Sequence, residues 1–214
     1  MTDELARCVG VSRTYGAGPS AVVALHSVDC IVRPADRIAL MGRSGSGKST
    51  LLHLLAGLDE PTTGVIRRPA RGEVGVVFQG PSLLAPLDVA ENVALPLLLA
   101  GVRPVEAGVR AAAALRRAGV AGLAAQLPEE LSGGQAQRVA VARVLAGSPR
   151  LILADEPTGQ LDADHRDQVV ALLLDAADEL DAGLVVATHD ARVADRFPQR
   201  WVMDNGSLRE VEHP

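Results

Sequence analysis

Gly42-Arg43-Ser44-Gly45-Ser46-Gly47-Lys48-Ser49-Thr50 is the stretch that decides how this chain folds. It follows a short apolar run, Arg37-Ile38-Ala39-Leu40-Met41, and leads directly into Leu51-Leu52-His53-Leu54-Leu55-Ala56-Gly57. Strand, glycine-rich loop and helix in that order are the context of a phosphate-binding loop. Glycines let the backbone wrap closely enough to aim several N–H groups at one phosphate, and the helix start adds its positive dipole end. In this reading Lys48 reaches the β- and γ-phosphates and the Ser49 hydroxyl ligands Mg²⁺. Lys48 is the only lysine in the chain, in a composition that otherwise uses arginine.

The rest of the composition sets limits. A chain of 214 residues, 48% of them hydrophobic, can bury the core of one large domain or of a core with a subdomain. The net charge of −5, with no basic run, disfavours nucleic acid as a partner. The start, Met1-Thr2-Asp3-Glu4, is acidic and does not read as a signal peptide. The longest apolar stretch, Val93 to Val102, is too short to span a bilayer and contains Pro96. The expectation is a cytoplasmic protein with no direct membrane span, serving a membrane only through another chain. Cys8 and Cys30 have no metal-site spacing, and reduced, partly buried thiols are favoured over a disulfide.

From Leu5 to Val32 the pattern reads as strands: Leu5 to Val11, then Val22 to Leu25 and Val28 to Val32 after a turn at Gly16-Ala17-Gly18-Pro19. Tyr15, the only tyrosine, ends the first strand, where it could stack on an adenine or simply pack. Val65 to Arg67 and Glu73 to Phe78 follow as strands, with Gln79 after the second. From Leu87 to about Gly147 the pattern turns helical. One helix covers Asp88 to Ala100, interrupted near Pro96. Another opens at Pro104, places Val105, Val109, Ala112 and Leu115 on its apolar face, and closes at Gly119.

Leu131-Ser132-Gly133-Gly134-Gln135 precedes a helix from Ala136 to Ala146. Ser132 is a natural N-cap, and the glycines leave N–H groups open at a helix start, so this is either a second anion site without a lysine or a plain capped helix. Leu151 to Ala154 is a buried parallel strand that ends in Asp155 and Glu156, at the sheet edge where ligands sit. There Asp155 would hold Mg²⁺ and Glu156 would face the attacking water as general base. A helix spans Ala163 to Leu180, with Val170, Leu173, Leu174 and Ala177 inward. Leu184 to Thr188 is another buried strand, with His189 at its end, within reach of a γ-phosphate. Trp201 to Val211 reads as a hairpin turning at Asn205-Gly206, with Trp201 in packing.

Together these residues resemble the nucleotide-binding subunits of ATP-binding cassette (ABC) transporters, over nearly the whole chain. The likeness rests on the phosphate loop, on Gln79 as the Q-loop residue and on Leu131–Gln135 as the signature motif. It rests also on the strand ending in Asp155-Glu156, on Asp162 in the D-loop and on His189 in the switch loop. Leu54–Asp59 and Glu91–Pro96 look most like the lipoprotein-release and macrolide-export type. The resemblance implies an α/β P-loop NTPase (RecA-like) fold, with a parallel-sheet core, an N-terminal antiparallel β-subdomain and an inserted helical subdomain. That places core and β-subdomain at 1–86 and 148–214, and the helical subdomain at 87–147.

It also implies a Mg-dependent ATPase whose ATP lies between two protomers. Gly42, Ser44, Gly45, Ser46, Gly47, Lys48, Ser49 and Thr50 of one chain hold the phosphates. Ser132, Gly133, Gly134 and Gln135 of the other cap the γ-phosphate. Tyr15 takes the adenine-stacking position. Asp162 belongs to the nucleotide interface, and Gln79 joins Ser49 and Asp155 as a metal ligand. Glu156, His189, Gln79 and Lys48 carry the chemistry. A separate integral membrane permease docks on the helical subdomain and keeps the homodimer on the inner face of the cell membrane. The sequence departs from the family in a short Gly64–Gln79 segment, in Ala35 where a turn glycine is usual, and in Gln160 before Leu161-Asp162. A regulatory cassette without transport remains the alternative. A DNA- or ribosome-directed cassette would call for a fused second cassette, a coiled coil or a basic face, and a P-loop kinase would leave Ser132–Gln135 without a role.

Overall fold

Runs of apolar residues without alternation occur at Arg37–Met41 (β3), Leu151–Asp155 (β6) and Gly183–Thr188 (β7), and nearly every residue in them is buried. Burial on both faces requires a central place in a parallel sheet covered by helices. The computed structural model, which describes residues 4–70 and 72–212, gives these strands that place. Met1-Thr2-Asp3 of the acidic start lie outside the described residues. With Val74–Val77 (β5), Gln199–Asp204 (β8) and Ser207–Glu212 (β9) they form a six-stranded sheet, order β5-β6-β7-β3-β8-β9. All neighbours run parallel except β9, which returns antiparallel to β8. Register lines up the strand ends: Met41 lies opposite Thr188, and Asp155 opposite Ala187. The residues that follow, Gly42, Glu156 and His189, therefore leave the sheet at one edge.

A second, antiparallel sheet has the order β2-β1-β4, from Ala6–Tyr15 (β1), Val22–Val32 (β2) and Thr63–Arg67 (β4). The expected strand pair Val22–Leu25 and Val28–Val32 is one continuous strand. Ser27, at φ 48°, absorbs the irregularity within it. Cys8 and Cys30 are directly opposed across β1 and β2, both buried and both free thiols. The Cys8 side chain and burial together push the Cys30 thiol well above its ordinary range, so it stays protonated.

Lys48–Ala56 (α1) follows the phosphate loop. Val89–Leu99 (α2), Pro104–Arg117 (α3) and Gly133–Leu145 (α4) form the helical stretch, followed by Ala163–Glu179 (α5) and the short Ala191–Ala194 (α6). Two expectations about this stretch change. Helix α2 is not interrupted: Pro96 lies inside it. Buried Val93 and Leu97 on either side hold the helix despite the missing donor. A reciprocal cap starts it, with the Glu91 amide donating to Asp88 Oδ1 at 2.7 Å and the Asp88 amide donating to Glu91 Oε2 at 3.0 Å.

The inward face of α3 is the second correction. Leu115 is buried as expected, together with Ala107, Ala111 and Ala114, whereas Val105 and Val109 are 83% and 64% exposed and Ala112 is exposed as well. Both sets satisfy helical spacing. Small alanines win the interior because they let α3 pack closely against α2 and α4. Elsewhere the apolar readings agree with the structure: Trp201 is 3% exposed, and α5 buries Val170, Leu173 and Ala177, with Leu174 partly buried against the same core.

The missing turn glycine has a structural cost. In the Arg33–Asp36 turn the Asp36 amide donates to the Arg33 carbonyl at 3.3 Å, and Ala35 stands at φ 60° after Pro34. That is the place where a type II turn normally holds glycine. Ala35→Gly should relieve about 1–2 kcal/mol of left-handed strain against about 0.4–1 kcal/mol of added unfolded-chain entropy. The expected result is a higher urea midpoint with an unchanged m-value, equivalent to a net gain of about 0.5–1 kcal/mol.

Candidate nucleotide-binding site

The loop between β3 and α1 is shaped by backbone demands first. Gly47 stands at φ 107°, and a methyl there would come within 2.6 Å of the Ala24 carbonyl oxygen. Behind the loop, the Gly206 amide donates to the Ser46 carbonyl at 2.9 Å and the His26 amide donates to the Gly206 carbonyl at 2.7 Å. The β8–β9 turn, with Asn205 and Gly206 both at positive φ, thus braces the loop from outside. Lys48 is 6% exposed, and its ammonium donates to the carbonyls of Gly42 at 2.8 Å and Arg43 at 3.2 Å.

The loop opens on a cleft of about 520 Å³. Ser44 to Thr50 form its floor, Gln79, Asp155, Glu156 and His189 one side, and Val22 to Ala24 the other. Glu156 lies between two cations or donors: Oε1 is 3.5 Å from Lys48 Nζ, and Oε2 is 2.8 Å from His189 Nδ1. Its backbone is held at φ 47°, with its amide donating to the Ala187 carbonyl at 3.0 Å. A non-glycine residue in the left-handed region is kept only where the surroundings enforce it, and such strain gathers at functional sites.

The donor set fits Mg²⁺. Asp155 Oδ1 is buried and has no hydrogen-bond partner among the described residues, and Ser46 Oγ is in the same condition. One carboxylate, the Ser49 hydroxyl and the Gln79 amide oxygen beside a phosphate loop match a cation that keeps waters and substrate phosphates among its ligands.

The remaining candidates lie outside this cleft. Ser132 caps α4 by a reciprocal pair: its Oγ accepts from the Gln135 amide at 3.3 Å, and Gln135 Oε1 accepts from the Ser132 amide at 2.8 Å. Helix α4 therefore begins three residues earlier than expected, at Gly133, with Ser132 and Gly133 exposed. The Asp162 carboxylate caps α5, accepting from the His165 amide at 3.0 Å and lying 2.7 Å from His165 Nδ1. The His165 amide first and its imidazole second hold the Asp162 carboxyl below the usual range. Tyr15 does not line the cleft, but Val22, opposite it across the strand pair, does.

Three partners escaped the sequence reading. Gln137, 2% exposed on α4, donates to the Phe78 carbonyl at 3.1 Å and so holds the chain just before Gln79. His165 fills the space over Gly134. Asp59 holds Tyr15 and Arg13. Gln137 lay in plain view three residues after a signature glycine, but its partner is distant in sequence and no local pattern points to it.

The chain is matched by the family model for the ABC transporter over residues 25–159. It is 37% identical to the lipoprotein-releasing system ATP-binding protein LolD of Idiomarina loihiensis, across 99% of this chain and all of that protein. It is 41% identical to LolD of Legionella pneumophila, across 97% of this chain and 98% of that protein. A solved dimeric ATP-binding cassette in a post-hydrolysis state, bound to ADP and Pi, superimposes with a TM-score of 0.88 at 34% identity, across 97% of this chain and 98% of that one.

The two signature glycines make different demands within one chain. A methyl on Gly133 would meet only Leu161, at 3.9 Å, whereas one on Gly134 would press on the His165 ring, with Cγ at 2.7 Å. Gly133→Ala is expected to leave the melting temperature of the isolated chain unchanged or to stabilise it by up to about 1 kcal/mol. Gly134→Ala is expected to cost about 1–3 kcal/mol by overpacking, because His165 can yield only by leaving Asp162. Equal melting temperatures for the two variants would contradict this.

Proposed function

The chain belongs to the ABC transporter family, and on that premise we propose that it closes head to tail with a second copy around two ATP and powers a separate membrane transporter. It is a Mg-dependent ATPase. The observation that carries the proposal is a division of labour in space. One cleft gathers Lys48, Ser49, Gln79, Asp155, Glu156 and His189, while the capped helix start at Ser132-Gly133 stays exposed elsewhere on the same chain. A phosphate cradle and a lysine-free anion site that do not meet within one chain can meet between two.

In hydrolysis, the loop amides and Lys48 hold the phosphate chain, and Lys48 balances charge at the β- and γ-phosphates. Ser49, Asp155 and Gln79 would hold Mg²⁺, which would supply charge neutralisation at the phosphate oxygens. Glu156 takes the proton of the attacking water at its carboxylate, and its strained backbone and the His189 contact fix where that carboxylate points. Ser132, Gly133 and Gly134 of the second copy close the γ-phosphate from the far side.

A groove of about 490 Å³ supports the membrane partner. Phe78, Leu84 and Leu99 line it and are 37%, 47% and 80% exposed. Phe78 adjoins Gln79, so a helix from a permease seated there would press directly on the cleft. We take the stretch 87–147 as the inserted helical subdomain that offers this groove. Among the described residues no helix is long and apolar enough to cross a membrane. The permease would therefore hold the ATPase at the cytoplasmic face of the membrane. The relatives named as lipoprotein-releasing subunits support that branch of the family.

Two experiments test the reading. Glu156→Gln should retain ATP binding, lower turnover by ~10²–10⁴-fold, and trap an ATP-bound dimer visible by gel filtration. Turnover near wild type would exclude Glu156 as the base. In the Glu156→Gln background, Lys48→Ala and Ser132→Arg chains should each fail to occlude ATP alone. A mixed dimer pairs one intact Lys48 with one intact Ser132 and should occlude about one ATP per dimer. No occlusion above the unmixed controls, with mixed dimers shown to form, would defeat the arrangement across the interface.

A further inference from the structure

Tyr15 stands at the exposed end of β1, yet its ring is fixed. Its hydroxyl donates to Asp59 Oδ2 at 2.8 Å, and the Arg13 guanidinium carbon stands 4.4 Å from the ring centroid. Arg13 is itself held by Asp59, with Nε donating to Oδ2 at 2.9 Å and a terminal nitrogen 2.8 Å from Oδ1. One carboxylate thus anchors the edge of the ring and the cation covering one of its faces. Burial alone would raise the Asp59 carboxyl. The Tyr15 hydroxyl, the Glu60 amide and Arg13 outweigh it and hold the carboxyl below its usual range, so the anchor is ionised at neutral pH.

Asp59 also lies just past the C-terminus of α1, the helix whose first residue is Lys48. The Gly57 and Leu58 amides close that helix end, donating to the carbonyls of Leu54 at 3.1 Å and His53 at 2.9 Å. The same short turn is clasped to β1 by the Thr62 amide on the Ser12 carbonyl at 2.8 Å. The phosphate-binding helix and the aromatic ring therefore share one rigid connection. Tyr15 is 39% exposed, with one face under Arg13. A ring already held in place loses little freedom when a base stacks on it.

We propose that Asp59 is a positioning residue for the nucleotide base: through the Tyr15 hydroxyl and Arg13 it sets the ring at a fixed distance from the phosphate loop. The inference rests on the reading that Tyr15 receives the adenine. It gives the Tyr15 hydroxyl a task beside that of the ring face.

Binding of MgATP and of Mg-tripolyphosphate to the isolated chain, measured by calorimetry, separates base from phosphate recognition. Asp59→Ala should raise the Kd for ATP roughly 5- to 10-fold, part of a stacking contribution, and leave tripolyphosphate binding within about twofold. Asp59→Asn, whose carbonyl still accepts from Tyr15, should retain most of the affinity. Tyr15→Phe removes the same hydrogen bond without touching the Arg13–Asp59 pair and should weaken ATP binding selectively, so the question stays answerable if Asp59→Ala fails to fold. Asp59→Ala should add nothing to Tyr15→Ala. Equal weakening of both ligands by Asp59→Ala would make Asp59 a support of α1 and overturn the proposal. A base-selective loss in Tyr15→Ala with none in Asp59→Ala or Tyr15→Phe would overturn the proposal and keep the stacking. No base-selective loss in Tyr15→Ala would remove the stacking reading itself.

Discussion

A nearly buried ammonium held by backbone carbonyls and a single shared carboxylate is the constraint around which this protein is built. Lys48 is 6% exposed, its ammonium rests on two backbone carbonyls, and the nearest carboxylate oxygen is 3.5 Å away on Glu156. Taking a cation out of water is costly unless something compensates it. Here two neutral carbonyls make the hydrogen bonds and the one counter-charge, Glu156, is shared with His189, which leaves the site ready for an anion. The central strands, the left-handed Glu156 and the brace from the last hairpin all hold that arrangement against relaxation.

Parallel register turns this local condition into a single shared edge. Because Met41 faces Thr188 and Asp155 faces Ala187, one sheet edge receives the phosphate loop, both carboxylates and His189 without any long-range adjustment. The apolar strands that make this register were legible as continuous hydrophobic runs, and so were the acids and the histidine that end them. The Asn205-Gly206 turn was legible for a similar reason: its backbone demands a particular residue type.

What was not legible lies in contacts between distant segments. The face of α3 could not be settled by spacing, because valines at 105 and 109 and alanines at 107 and 111 satisfy the same helical period. Only the approach of α2 and α4 selects the smaller set. Pro96 signals a break that the burial of its neighbours overrules. Asp59 is separated from Tyr15 by 44 positions, and in sequence it is merely an acid before a turn. Ser132 and Asp162 were recognisable as polar residues at helix starts. That each already has a partner within its own chain emerged only from the fold.

The brace behind the phosphate loop bears on how the protein is made. Ser46 rests on the Gly206 amide, and Gly206 in turn takes the amide of His26. The loop is encoded at residues 42–50, but its outer support comes from Gly206, far later in the sequence. During synthesis the nucleotide cleft therefore cannot reach its final shape until the β8–β9 hairpin has left the ribosome. A chain stalled before that hairpin would carry the complete phosphate-loop sequence without this outer support for its conformation.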